Sequence, residues 1–428
     1  MGIREEFKME NTTTITSSIS LSTLDKLYKK FVFGALNTLE SGKVVLVEGG
    51  NRHLFGSTDS ELIAEVVVHD AAMYKLFALG GSVGAGEAYI LGHWSCSNLT
   101  ALIEIFVLNQ AQLDAFERKF AVLSSIAHKF KHFRNKNSKQ GSKRNIEAHY
   151  DLGNDLYESF LSEEMLYSSA VYPSKEATLE QAQQYKLAAI CKRLDLQATD
   201  KVVEIGTGWG AFAIYAAKHH GCHVTTTTIS EEQHAYVEKL IVEEGLGDKI
   251  TLLKKDYRDL QGQYDKLVSI EMIEAVGHEY LSGFFAKCDA LLKPSGAMLI
   301  QAITIACQRY QHYLKQSDFI QQYIFPGGCL PSVTEMSKQI SSATDMVVHE
   351  LHDIGLHYAR TLYDWRVRFE KSWPSLDSKR FDERFYRLWE FYLCYCEGAF
   401  KRRATSAVHL VARKPGYQSN DCVAALDY

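Results

Sequence analysis

Between residues 201 and 305, short apolar runs alternate with amphipathic ones. KVVEI, CHVTTTTI, ITLLKKD, YDKLVSI and GAMLIQAITI have strand length, whereas SEEQHAYVEKLIVEE and YLSGFFAKCDALL read as amphipathic helices. Strand, helix and strand at this spacing build a parallel sheet wrapped on both faces, so the fold class is α/β, a doubly wound, Rossmann-like sheet. Ligands of such sheets sit beyond the carboxyl ends of the strands. This rule gathers the turn after Ile205 and the residues just past Ile229, Asp256 and Ile270 around one crevice.

The turn after Ile205 reads VVEIGTGWGAF. Gly206 and Gly208 match the first two glycines of a dinucleotide fingerprint, but Ala211 fills the third position. A nicotinamide dinucleotide site also calls for an acid at the end of the second strand, where this chain has Thr225 to Thr228. The hydroxyls there and the amide of Gln233 suit a ribose held without an acidic clamp. A tight turn with no ligand is the plain alternative.

Ahead of this region, residues 20–128 combine helical runs such as LSTLDKLYKKFVFGALNTL with the strand-and-turn stretch KVVLVEGGNRHLFG, which predicts a smaller α+β domain. Residues 129–144, KFKHFRNKNSKQGSKR, hold seven Lys or Arg and no acid. They read either as a solvated linker or as a patch drawn transiently to anionic lipid, where each cation contributes about 1 kcal/mol. A catalytic domain is expected over residues 145–415. The net charge of −5 excludes a general nucleic-acid-binding habit. No apolar run reaches the length of a membrane span, and MGIREEFKMEN lacks the features of a secretory signal, so a cytoplasmic protein is expected. The nine cysteines include no CxxC pair and read as reduced thiols, with no metal site implied.

Several stretches together carry a specific resemblance. HYDLGNDLYESFL (149–161), MLYSSAVY (165–172), VVEIGTGWG, TTISEEQ (227–233), DYRDL (256–260), IEMIEAVGHEYL (270–281) and YIFPGGCLPS (323–332) resemble the cyclopropane-fatty-acid synthase family. The likeness extends over about residues 145–413, and GEAYILGHWSCSNLTALI resembles the family's amino-terminal part. It implies an enzyme that uses S-adenosylmethionine (SAM) to alkylate the double bond of an acyl chain within a phospholipid. The glycine turn then becomes a SAM loop. By resemblance, Glu204, Gly206 and Gly208 form the methionine side of the cofactor site, with Tyr167 and Ser168 covering it. Thr228 and Gln233 hold the ribose region, Tyr257 stacks near the adenine, and Ile270 ends the strand beneath them. A sulfonium cation independently favours acids and aromatic faces.

An isolated alkene has no proton to lose before attack, so the protein's work is positioning, stabilising a carbocation and removing one proton afterwards. Glu274 is the carboxylate expected near that cation; the plain alternative is a helix-start acid. The family holds a bicarbonate as the final base, using a cysteine, a glutamate, a histidine, a tyrosine and the backbone near an isoleucine. Glu274, Tyr358 and Ile303 match this set, whereas Ser169 stands for the cysteine and Gln301 for the histidine. Both substitutes form hydrogen bonds, but a neutral donor contributes about 1 kcal/mol against about 1.5–3 kcal/mol for a charged one. Bicarbonate is therefore left open as a second cofactor. Ala275 also replaces the histidine that commonly follows the family's glutamate. The leading reading is a C-methyltransferase of unsaturated phospholipid acyl chains, working peripherally at the membrane and giving cyclopropane or methyl-branched unsaturated products. A small-molecule N-methyltransferase and a non-catalytic SAM- or lipid-binding protein are the alternatives, and a homodimer is compatible with the sequence.

Overall fold

A computed structural model describes residues 21–120 and 153–418. The basic stretch 129–144 and the first four residues of HYDLGNDLYESFL lie outside the described residues.

The amino-terminal part contains α1 (Thr23–Leu36), β1 (Lys43–Glu48), β2 (Asn51–Gly56), β3 (Ile63–Val68), α2 (Ala72–Ile90), β4 (Trp94–Cys96), α3 (Leu99–Leu108) and α4 (Gln110–Phe120). Ser22 starts α1 through a reciprocal capping box with Asp25. Gly49 and Gly50, both at positive φ, close the β1–β2 hairpin as a two-residue loop demands. The four strands form one sheet in the order β2-β1-β3-β4. Inside α2 the backbone leaves helical geometry at Gly81, where φ is +54°.

The second part opens with α5 (Asn154–Glu158) and α6 (Leu179–Arg193), then alternates β5 (Lys201–Ile205), α7 (Ala211–His220), β6 (His223–Thr228), α8 (Glu231–Glu243), β7 (Ile250–Lys254), β8 (Tyr264–Ile270), α9 (Leu281–Leu291) and β9 (Leu292–Ile305). β5 to β9 pair in parallel as the periodicity predicts. The sheet does not stop there. β10 (Val347–Asp353) and β11 (Thr405–Arg413) add an antiparallel edge beside β9, giving the order β10-β11-β9-β8-β5-β6-β7. Because the chain leaves β7 at one edge and returns as β8 beside β5, the strand order reverses around β5. That reversal opens the crevice at the carboxyl ends of β5 and β8.

Short helices α10 (Tyr310–Tyr313) and α11 (Phe319–Tyr323), then α12 (Val333–Ala343), α13 (Gly355–Ser372) and α14 (Glu383–Lys401), complete the fold. α14 lies against α13 on one side and against α2 and α3 on the other. Gly398 permits this approach, since a Cβ there would come within 2.8 Å of Ile103. Thr100 donates to Glu397 (3.1 Å), Tyr89 to Glu390 (2.6 Å) and Arg402 to Glu104 (2.7 Å) across the same junction. The apolar residues of the two parts accordingly form one core, in which Tyr74 and Ile105 meet Phe319, Trp389 and Leu393.

Candidate active site

Near the end of β5, the first strand of the parallel sheet, stands Glu204, whose carboxylate is buried and accepts the Thr226 hydroxyl at 2.6 Å. Burial pushes this carboxyl up to about 8 in the ligand-free protein. The chain then turns through Gly206 (φ +96°), Gly208 (φ +54°) and Gly210 (φ +89°). A Cβ on Gly206 would stand 3.2–3.3 Å from the Met272 side chain, so the glycine leaves room for a ligand backbone. Past β6, the Thr228 hydroxyl donates to Gln233 Oε1 at 2.9 Å. Past β7, Tyr257 packs edge-on against Phe284, with the Arg258 guanidinium 5.5 Å from its ring and paired to Asp256. Tyr167 shares a hydrogen bond with the Tyr392 hydroxyl (2.8 Å) and packs against Trp365 at 5.2 Å.

One continuous cavity of about 1410 Å³ collects these residues. Tyr167, Ser168, Glu204, Gly206, Gly208, Thr228, Gln233, Tyr257 and Ile270 all line it, and so do Glu274, Ile303 and Tyr358. The cavity does not end at the crevice. It runs on between α1, α2 and the amino-terminal sheet, past Phe31, Phe77 and Leu46. Its volume exceeds the roughly 300–1,000 Å³ of a typical small-molecule site. A buried acid, a glycine cradle and aromatic faces at the crevice end fit a cationic sulfonium nucleoside.

Ser169 and Gln301 are fully buried and stand outside the cavity wall. Between them and the cavity lies Glu271. Its carboxylate accepts the Ser169 N–H at 2.9 Å, the Gln301 side-chain amide at 2.7 Å and the Tyr358 hydroxyl at 2.8 Å. The Ser169 hydroxyl itself donates to the Ala170 carbonyl (3.0 Å). Three of the positions that the resemblance assigns to bicarbonate thus donate to a carboxylate of the chain itself.

Glu274 lies one turn on. The Ile303 N–H reaches its Oε1 at 2.5 Å, while its Oε2 has no hydrogen-bond partner among the described residues. Burial, with the neighbouring Glu271 charge second, pushes the Glu274 carboxyl up to about 8. Burial also raises the Glu271 carboxyl, but the Ser169 N–H, Gln301, Lys186 and Tyr358 oppose that rise. Two acids three residues apart therefore have different environments: one is amply solvated by protein donors, the other scarcely.

The family model described as mycolic acid cyclopropane synthetase matches residues 137–410. The chain belongs to this family. It is a SAM-dependent methyltransferase. Among relatives of this cyclopropane-synthetase family member, the tuberculostearic acid methyltransferase UfaA1 of Mycobacterium tuberculosis is 35% identical over 353 residues, covering 81% of this chain and 82% of that protein. The cyclopropane-fatty-acyl-phospholipid synthase of Escherichia coli is 36% identical over 340 residues, covering 79% and 85%. Among solved structures, mycolic acid cyclopropane synthase CmaA1 complexed with SAH and CTAB superposes with a TM-score of 0.59 at 27% identity, covering 64% of this chain and 98% of that one.

Three polar residues of this methyltransferase's site escape a reading of the sequence alone. Glu271 stands in the quoted run IEMIEAVG, but its spacing from Glu274 does not say which acid has donors. Lys186 is completely buried and donates to Ser168 Oγ at 2.7 Å; burial lowers its ammonium to about 7, opposed by Glu271 and Glu164. A signal existed, since Ala182, Gln183, Lys186 and Ile190 share the buried face of α6 at helical spacing. His409, on the unforeseen strand β11, pairs with Gln301.

Proposed function

We propose that the enzyme transfers the methyl group of SAM to the double bond of an unsaturated phospholipid acyl chain, yielding a cyclopropane or a methyl-branched unsaturated chain. The observation that carries this reading is the apolar cavity that leads from the amino-terminal part, along Phe31, Phe77 and Val32, to the carboxylate pair Glu271 and Glu274. A long hydrocarbon fits such a tunnel because its transfer from water gains about 0.8 kcal/mol per buried methylene. The relatives named for fatty acyl methylation and cyclopropane formation agree with that substrate class.

When bound, SAM supplies an electrophilic methyl group on a positively charged sulfur. The chain's own residues do the rest. Glu204 offers a buried carboxylate to the charged cofactor, and Thr228 with Gln233 offers hydroxyl and amide groups to its ribose. Tyr167 and Tyr358, both packed against Trp365, line the site with aromatic rings, where a cation gains about 0.5–2 kcal/mol per ring according to desolvation. Glu274, short of donors, gains most when positive charge develops near it. The enclosing core excludes water, which would otherwise capture that cation.

Peripheral binding to anionic membrane through residues 129–144 belongs to the same proposal and rests on their seven cations. No described helix is long and apolar enough to cross a membrane. Incubating the full chain with unsaturated phospholipid vesicles and methyl-labelled SAM tests the function. Label in the acyl chains, identified by gas chromatography and mass spectrometry, is the expected result; label only in a soluble amine, or none, would overturn it.

A further inference from the structure

We propose that Glu271 replaces bicarbonate in this enzyme: its carboxylate accepts the proton that leaves the methylated acyl chain. This rests on the methyl-transfer reading above. The Ser169 N–H, the Gln301 amide and the Tyr358 hydroxyl, from three distant parts of the chain, converge on this one carboxylate at 2.7–2.9 Å. These are positions that the family resemblance gives to bicarbonate, and Glu271 engages all three while facing the cavity.

A second observation is independent of the first. Glu271 has φ +48°, a left-handed conformation that few residues with a side chain adopt. Its own N–H is pinned to the Gln301 carbonyl at 2.8 Å. Non-glycine residues persist in this conformation only where surrounding structure enforces it, and they cluster at active sites. Glycine would adopt it freely, so what the glutamate adds at this position is the carboxylate.

The proton step balances without any added ion. After methyl transfer the acyl chain carries a positive charge on the carbon next to the methylated one, and a C–H bond breaks either on the new methyl or on a chain carbon beside the cationic carbon. Its electron pair stays on the chain, closing a three-membered ring if the hydrogen comes from the new methyl or forming a double bond if it comes from a chain carbon. The proton moves to a Glu271 oxygen, and the neutral acid keeps its place among Tyr358, Gln301 and Ser169.

The experiment uses the full chain, dioleoyl phosphatidylglycerol vesicles and labelled SAM in carbonate-free buffer, with and without added bicarbonate. The wild-type rate should not respond to bicarbonate. Glu271→Gly, which suits the backbone conformation, should lose roughly 10²–10⁴-fold, the usual contribution of a positioned base, and regain part of it when bicarbonate is added. A wild-type enzyme stimulated by bicarbonate, or a Glu271→Gly enzyme as fast as wild type without it, overturns the proposal. Calorimetric titration with bicarbonate in the presence of S-adenosylhomocysteine needs no turnover: binding to Glu271→Gly and not to wild type supports the assignment, and binding to wild type or to neither protein overturns it. A failed lipid assay would then count against the methyl-transfer reading alone.

Discussion

Gln301 Oε1 and His409 Nε2 lie 2.9 Å apart in a fully buried pair that bridges neighbouring positions of β9 and β11. An amide oxygen only accepts, so Nε2 carries the hydrogen, and the Gln301 NH₂ is thereby directed to Glu271 and to the Ser169 carbonyl. Nδ1 then accepts from Arg193 Nη1 at 3.4 Å. His409→Phe removes the donor and leaves the Gln301 carbonyl unpaired, which costs about 1–3 kcal/mol. A lower thermal midpoint and a lower kcat are expected, with His409→Gln restoring part of both. Burial first, then the Arg193 charge, holds His409 well below the usual imidazole value. The unfolded chain therefore takes up a proton that the folded site refuses, and stability falls as pH drops below about 6.5. Urea unfolding between neutral and mildly acidic pH should show this slope in wild type and less of it in His409→Gln.

Gly206→Val should abolish SAM binding. The position has φ +96°, and a Cβ would already crowd Met272 at 3.2 Å, so a branched side chain either fills the cradle or forces the loop aside. Calorimetry on a variant whose circular dichroism matches wild type checks this; unaltered SAM affinity would remove Gly206 from the site.

SAM binding should release a proton near neutral pH. Glu204, raised by burial to about 8 from an ordinary value of 4.5, is largely protonated in the ligand-free enzyme at pH 7. A cationic ligand favours the ionised form, so affinity should rise with pH up to about 8 and then level off. Glu204 by itself therefore contributes stability to the ligand-free protein that is fully present below about pH 4.5 and lost progressively as pH rises towards 8, opposite in sign to the contribution of His409. Titrations in buffers of different ionisation enthalpy measure the released proton; Glu204→Gln should abolish the release.

Replacing the seven cations of residues 129–144 by Gln should weaken co-sedimentation with anionic vesicles. Wild-type binding should also fade with salt, since the Debye length shrinks from about 10 Å at 0.1 M to about 3 Å at 1 M. Binding indifferent to both changes would exclude this segment as the contact.

The parallel core of the sheet and the glycine turn were legible along the chain, because alternation of strand and helix and the need for positive φ at Gly206 and Gly208 are local properties. β10 and β11 were not, since VHLVAR is a strand only by virtue of the edge that β9 offers it. The shared core was equally invisible: Gly398 and Gly86 signal close packing only once α14 is laid against α3 and α2. The family resemblance nominated Glu274, Tyr358, Ser169 and Gln301 for one site. Their division of labour was decided in three dimensions, where the donors of residues 169, 301 and 358 meet on Glu271 and leave Glu274 with the backbone of Ile303. A sequence can show which side chains carry charge, but the balance of burial against hydrogen bonding that sets each charge exists only once distant segments are packed together.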